Sequence, residues 1–189
     1  MSNLNEIKNV MLISPDKVKG YAVVGLNVDD NTLGNCIRLA HIHIREVIGK
    51  DLLERVQELV YNKIKGSGDT IDDQDNEAYK VLLDEYLAPA LAYGTAVEAA
   101  VVNELKIRNM GVIKDSDTNV NQTSAGEYTS LAGYYRTYLN DAYNRIAEFL
   151  CENKKAFAEV PDGFCTCSEK PLYANTNLWL GPSKKKNCC

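Results

Sequence analysis

Apolar residues recur at helical spacing in four long stretches, separated by polar, glycine-rich segments. In the first, Leu33, Ile37, Ala40, Ile44, Val47 and Ile48 form an i, i+4, i+7, i+11 series on one helix face. Asp29-Asp30-Asn31-Thr32 offers capping side chains before it, and Gly49 offers a stop. Asp51 reads as the cap of the next helix, whose face carries Leu52, Val56, Leu59, Val60 and Ile64 and which Gly66-Ser67-Gly68 closes. The third stretch carries Tyr79, Leu82, Leu83, Tyr86, Leu87, Ala90, Leu91, Val97, Val101 and Leu105, with Pro89 inside it. Proline lacks an N–H and its ring crowds the preceding turn, so this helix is expected to kink or to split in two. Its run LAPALAYGTAVEAAVV is rich in small residues and predicts close helix–helix approach. The fourth stretch presents Leu131, Tyr135, Tyr138, Ala142, Ile146 and Phe149 and ends near Asn153. Thr123 or Ser124 with Glu127 forms a capping-box signature at its start.

The remaining segments are less regular. The first 13 residues show no strong pattern, and Ser14-Pro15-Asp16 then opens a short helix that Gly20 limits. Residues 21–28 suit a short strand or an extended link, and 66–76 form an acidic loop. Residues 108–123 break the helical period, with a short strand available from Met110 to Ile113. From residue 155 onward the period is lost, and Pro161, Pro171, Pro182, Gly163 and Gly181 accumulate. The expectation is an all-α protein. It comprises a bundle of four main helices (one proline-kinked), a short N-terminal helix, a loop or hairpin near 108–123 and an extended C-terminal arm. The helical domain is placed at 1–154 and the arm at 155–189.

Composition changes this picture little. The chain has 189 residues, 45% hydrophobic and 25% charged, as an ordinary globular protein does. No apolar run approaches the roughly 18 residues that span a bilayer. The N-terminus lacks the basic start and apolar stretch of a signal peptide, so the protein is expected to stay where it is made. A net charge of −5 and a pI near 5.1 disfavour a general nucleic-acid binder. Eleven tyrosines against three phenylalanines hint at rings half buried against other chains. The cysteines are Cys36, Cys151, Cys165, Cys167, Cys188 and Cys189, and without a secretion signal they are expected to be reduced.

The candidate chemical sites are weak. Cys165 and Cys167 with Cys188 and Cys189 could offer four thiolates to zinc, but the one-residue gap and the adjacent pair fit poorly. His41 and His43 point about 200° apart on a helix and cannot share a metal. One is expected toward the core edge and the other toward solvent. Asp69, Asp72, Asp73, Asp75 and Glu77 lack the turn glycine and the spaced glutamate of a calcium loop, so capping and solvation explain them. Asp29-Asp30 and Asp115 to Asp117 sit where aspartate is favoured on backbone grounds. No nucleophile elbow, phosphate-binding glycine loop or dinucleotide fingerprint is present. The chain therefore reads as a non-enzyme, with no catalytic, cofactor-binding or metal-binding residues assigned. Lys184-Lys185-Lys186 could touch DNA phosphates or an acidic protein surface, or simply solubilise the tail. Trp179-Leu180 is costly in a polar arm unless it docks, on a partner or back on the protein's own helices.

Four segments carry a resemblance: LISPDKVK at 12–19, NVDDNTLGNCIRLAHIHIREVIGKDLLERVQELV at 27–60, YKVLLDEYLAPALAYGTAVEA at 79–99, and NMGVIKDSDTNVNQTSAGEYTSLAGYYRTYLNDAYNRIAEFLCEN at 109–153. In this order they resemble the head-to-tail connector, or portal adaptor, proteins of tailed bacteriophages. The form most like them is the ring protein of crAss-like and other Bacteroidetes-infecting phages. The resemblance implies a helical subunit at the head–tail junction of a virion, assembled in the host cytoplasm. Copies would form a ring, dodecameric by analogy, below the portal protein and beside further tail or ring proteins, with no membrane involved. Genomic DNA would pass through the lumen without tight binding, and acidic walls would repel its phosphates. It also implies contact roles. The loop after Asn109, with Met110, Val112 and Ile113, is a candidate for lumen or inter-subunit contact. Trp179, Leu180, Lys184, Lys185 and Lys186 in the arm are candidates for portal or neighbour contact. The residues themselves agree: half-buried Tyr134, Tyr135, Tyr138 and Tyr143 along one long helix suit a helix packed partly on its own core and partly on a neighbour. Two other classes remain: a small metal- or redox-responsive binding protein using the C-terminal cysteines, and a generic helical interaction domain of cellular origin.

Overall fold

A computed structural model describes residues 3–22, 29–108, 111–114 and 125–165, with side chains described over 5–22, 29–102 and 130–165. The fold is all-α. Helices α1 (Asn3–Lys8) and α2 (Pro15–Tyr21) precede the long α3 (Asp30–Ile48) and α4 (Lys50–Lys65). The next helical path runs from α5 (Glu77–Val81) through a π turn (Leu82–Leu87) into α6 (Ala88–Glu104). Strands β1 (Leu105–Arg108) and β2 (Gly111–Lys114) pair antiparallel, and α7 (Ala125–Glu152) closes the helical part. Helix α6 lies centrally, packed on both α3 and α7, and α4 packs on α3 and α1.

The helix starts follow their capping chemistry. Ser14 Oγ accepts the Lys17 N–H at 3.3 Å, and Pro15 opens α2. Asp29 accepts the Thr32 N–H at 3.0 Å at the head of α3. Asp29→Ala is expected to cost about 1 kcal/mol, read as a lowered urea midpoint with an unchanged denaturant slope; Asp29→Asn should retain most of the stability. Helix α2 ends one residue past Gly20, at Tyr21.

Asp51 is not the cap expected of it. Gly49 alone joins α3 to α4, with φ +88°, and Asp51 falls within the first turn of α4. Only a residue free of a Cβ adopts this backbone easily, so the two helices turn on one glycine. Ile64 also departs from the expected core face. It is 69% exposed, while Leu53 takes a core position.

Pro89 does not split the third helix. The Ala88 N–H reaches back five residues to the Leu83 carbonyl, so the chain enters proline through a π turn. The wider turn accommodates a residue that lacks an N–H and crowds the turn before it. The helix ends at Glu104, and Leu105, expected as a helical residue, begins β1 instead. The alternation Leu105, Lys106, Ile107, Arg108 has the strand period, and its register pairs Ile107 with Val112 and Lys106 with Ile113. The expected capping box at Thr123 or Ser124 lies outside the described residues.

The small-residue run does bring helices together. A Cβ on Gly94 of α6 would stand 3.2 Å from the Ala40 Cβ of α3. Thr95, fully buried beside it, returns its hydroxyl to the Leu91 carbonyl at 2.6 Å. The helical body also extends beyond 154. After a 3-10 turn (Lys154–Ala156), Phe157 and Val160 enter the core, so the segment to 165 packs as part of the body. The apolar pair, not the composition around Pro161 and Gly163, decides where this segment goes.

Candidate functional site

Tyr79, Tyr86 and Tyr93 stand seven residues apart along the third helical path, and each meets an aromatic ring from α7 or the segment after it. Tyr79 meets Phe157 edge-on at 5.1 Å, Tyr86 stacks on Phe149 at 4.3 Å, and Tyr93 lies 5.5 Å from Tyr138. Such ring pairs add about 0.5–1.5 kcal/mol beyond the area they bury. The ladder is closed at its Tyr79 end, where the phenol donates to Glu159 Oε2 at 2.9 Å. Burial first, then this carboxylate, pushes the Tyr79 pKa up to about 12.

The other end opens to the surface. Tyr134 is 55% exposed and Tyr138 43%, with Leu131 one turn before Tyr134 also exposed. The Tyr134 and Tyr138 rings meet at 4.9 Å, and the Tyr134 hydroxyl donates to that of Tyr138 at 3.1 Å. That hydrogen bond, then the neighbouring phenol charge, raises the Tyr134 pKa. Tyr135 and Tyr143 point the other way and are buried in the core. The four tyrosines expected to be half buried thus divide into two core and two surface residues. The buried stripe of α7 is Ala132, Tyr135, Leu139, Ala142, Tyr143, Ile146 and Leu150, which leaves Leu131 and Tyr138 outside.

Beside Tyr138 lies an open groove of about 340 Å³. Its floor and walls are Tyr21 of α2, Tyr86 of the π turn, Pro89 and Tyr93 of α6, and Tyr138 of α7, with Glu85, Asp141 and Arg145 at the rim. Arg145 reaches Asp141 at 2.9 Å. Glu85 forms no ion pair among the described residues. The surface is aromatic with a charged margin and suits binding of a chain or a second copy.

Of the other residues singled out in the sequence, Val112 and Ile113 lie in β2. Met110, Trp179, Leu180, Lys184, Lys185 and Lys186 lie outside the described residues, as do Asp115 to Asp117. Asp72 is held below the usual carboxylate range by hydrogen bonds and ion pairs from Lys63 at 2.7 Å and Lys80 at 2.9 Å. Asp73 accepts from the Thr70 N–H at 2.7 Å. No group of three or more metal-ligating side chains occurs among the described residues. No described helix is long and apolar enough to cross a membrane.

Two polar anchors are not legible as such in the sequence. His41 is buried on α3 and its Nε2 accepts the Leu12 N–H at 3.4 Å. Gln57, buried on α4, donates to the Val10 carbonyl at 3.1 Å. Together they pin residues 10–12 across the two helices. His43 lies half buried, with Nε2 3.2 Å from Glu98 Oε1. The expectation of reduced thiols fails for one pair: Cys151 and Cys165 form a disulfide, their Cα atoms 5.4 Å apart. The return of the chain around Phe157 brings them within bridging range, and Cys165 in this state offers zinc no thiolate. Cys36 is a buried free thiol, its pKa raised by burial and by Glu98.

These features define an all-α protein with an exposed aromatic surface on its last helix. Residues 44–168 match a family of unknown function, DUF6712, and the chain belongs to that family. No curated protein matches it, and neither does any solved structure.

Proposed function

We propose that this chain is a structural subunit of a tailed-phage virion, forming a ring that joins the portal to the tail and continues the DNA channel. The proposal rests on the order of the four segments at 12–19, 27–60, 79–99 and 109–153. The observation that carries the mechanism is the pair Tyr134 and Tyr138, exposed on α7 beside Leu131. Amphipathic rings at this exposure suit a contact between copies. No reacting group is needed for this role, and the reading includes no enzymatic step. The acidic net charge of −5 suits a wall along which DNA slides.

Imaging and mass measurement of the purified protein, alone and with a cognate portal, test the reading. The expected result is a closed ring on the tail-facing side of the portal. Tyr134→Glu with Tyr138→Glu is expected to weaken assembly at least about tenfold, as loss of a central aromatic anchor does. Their circular dichroism should be unchanged, since both side chains are on the surface. A chain that stays monomeric even with the portal present overturns the proposal.

A further inference from the structure

We propose that in the free subunit the C-terminal segment Trp179–Lys186 docks in the aromatic groove of its own chain, between α2, the π turn, α6 and α7. Tyr21, Tyr86, Pro89, Tyr93 and Tyr138 line the groove; Tyr21 and Tyr138 are exposed, and Tyr86 and Tyr93 are half buried. The chain outside the described body is long enough to reach it. Residues 166–189 follow Cys165, and Trp179 lies 14 positions beyond. That length spans up to roughly 50 Å when extended, against a radius of gyration of about 15 Å for a compact body of this size.

The chemistry also matches. The segment WLGPSKKK places one tryptophan, a leucine and a proline before three lysines. The aromatic and apolar part complements the tyrosine walls, where ring stacking and a cation over a phenol are both available. The lysines would meet Glu85, which has no ion pair among the described residues, and Asp141, which is shared with Arg145. Because Tyr138 also belongs to the face assigned to contact between copies, a docked tail would cover part of that face until assembly displaces it. The docking itself does not depend on the ring reading.

Trp179 is the only tryptophan, so the intact chain reports on itself. The measurement is Trp179 emission and acrylamide quenching in the full-length protein, at a concentration where sedimentation shows a monomer. The expected result is a blue-shifted emission and a quenching constant several-fold below that of the unfolded chain. Glu85→Lys or Tyr138→Ser should return quenching toward the unfolded value, whereas Ile64→Ser, an exposed change outside the groove, should not. Replacing Lys184, Lys185 and Lys186 together by glutamate should also release Trp179, and adding Glu85→Lys should restore part of the shielding. A fully quenchable Trp179 overturns the proposal. So does shielding that ignores the groove variants, which would place Trp179 elsewhere. Shielding seen only when chains self-associate overturns docking on the same chain. Ring assembly measured on the same variants fails or survives separately from these readouts.

Discussion

Phe157→Ala is expected to destabilise the protein by about 3–5 kcal/mol, the range for truncating a buried phenylalanine. Phe157 is 1% exposed, five residues past the end of α7, and its ring meets Tyr79 at 5.1 Å and Phe149 at 5.9 Å. The return segment is also held by the Tyr79–Glu159 hydrogen bond and by Lys154 to Asp162 at 2.7 Å. The exposed Lys154 pair contributes little. The aromatic burial, together with the Cys151–Cys165 disulfide, makes this segment part of the body. Urea unfolding should show a lower midpoint with an unchanged slope, and Phe157→Leu should lose less than the alanine variant because it leaves a smaller cavity. A cost below about 1 kcal/mol for the alanine variant would mean that the segment is not part of the cooperative core.

Acidification should remove about 3 kcal/mol of stability between pH 6.5 and 4 through His41 alone. Burial lowers its folded-state pKa from the ordinary 6.5 to about 4. The folded state therefore keeps the ring neutral, while the unfolded chain takes up a proton below pH 6.5. Stability from this group is complete above that value and is lost as pH falls toward 4. The local reason is geometric. Nε2 accepts the Leu12 N–H, and a protonated ring would turn a second donor on that donor. His41→Gln keeps an acceptor without the titration, so it should flatten this part of the curve. Carboxylates titrate in both proteins, and the difference between the two curves isolates the histidine. Parallel curves would rule out His41 as the acid-sensitive group.

The helices themselves were largely legible. Ser14 and Asp29 cap where their side chains predict, and the first apolar series matches the buried face of α3. Capping and periodicity are local: a hydroxyl three residues before an N–H finds it whatever else the chain does. The site was less legible. Tyr134 and Tyr138 could be named as contact residues, but periodicity alone also assigned Tyr138 and Leu131 to the core. The seven-residue spacing of Tyr79, Tyr86 and Tyr93 was the available signal for the aromatic ladder. It could not identify Phe157, Phe149 and Tyr138 as the opposing rings.

The sequence by itself determined the all-α class, the positions of the long helices and the need for close approach at the small-residue run. These follow from side-chain size, backbone freedom and a 3.6-residue period, which act over a few residues. Only the tertiary structure decided that Phe157 returns to the core, that His41 and Gln57 hold residues 10–12, and that Cys151 meets Cys165. It alone decided which tyrosines remain outside. Each of these depends on partners distant in the chain. An apolar ring or a buried imidazole takes its role from what packs against it, and spacing along one helix does not contain that information.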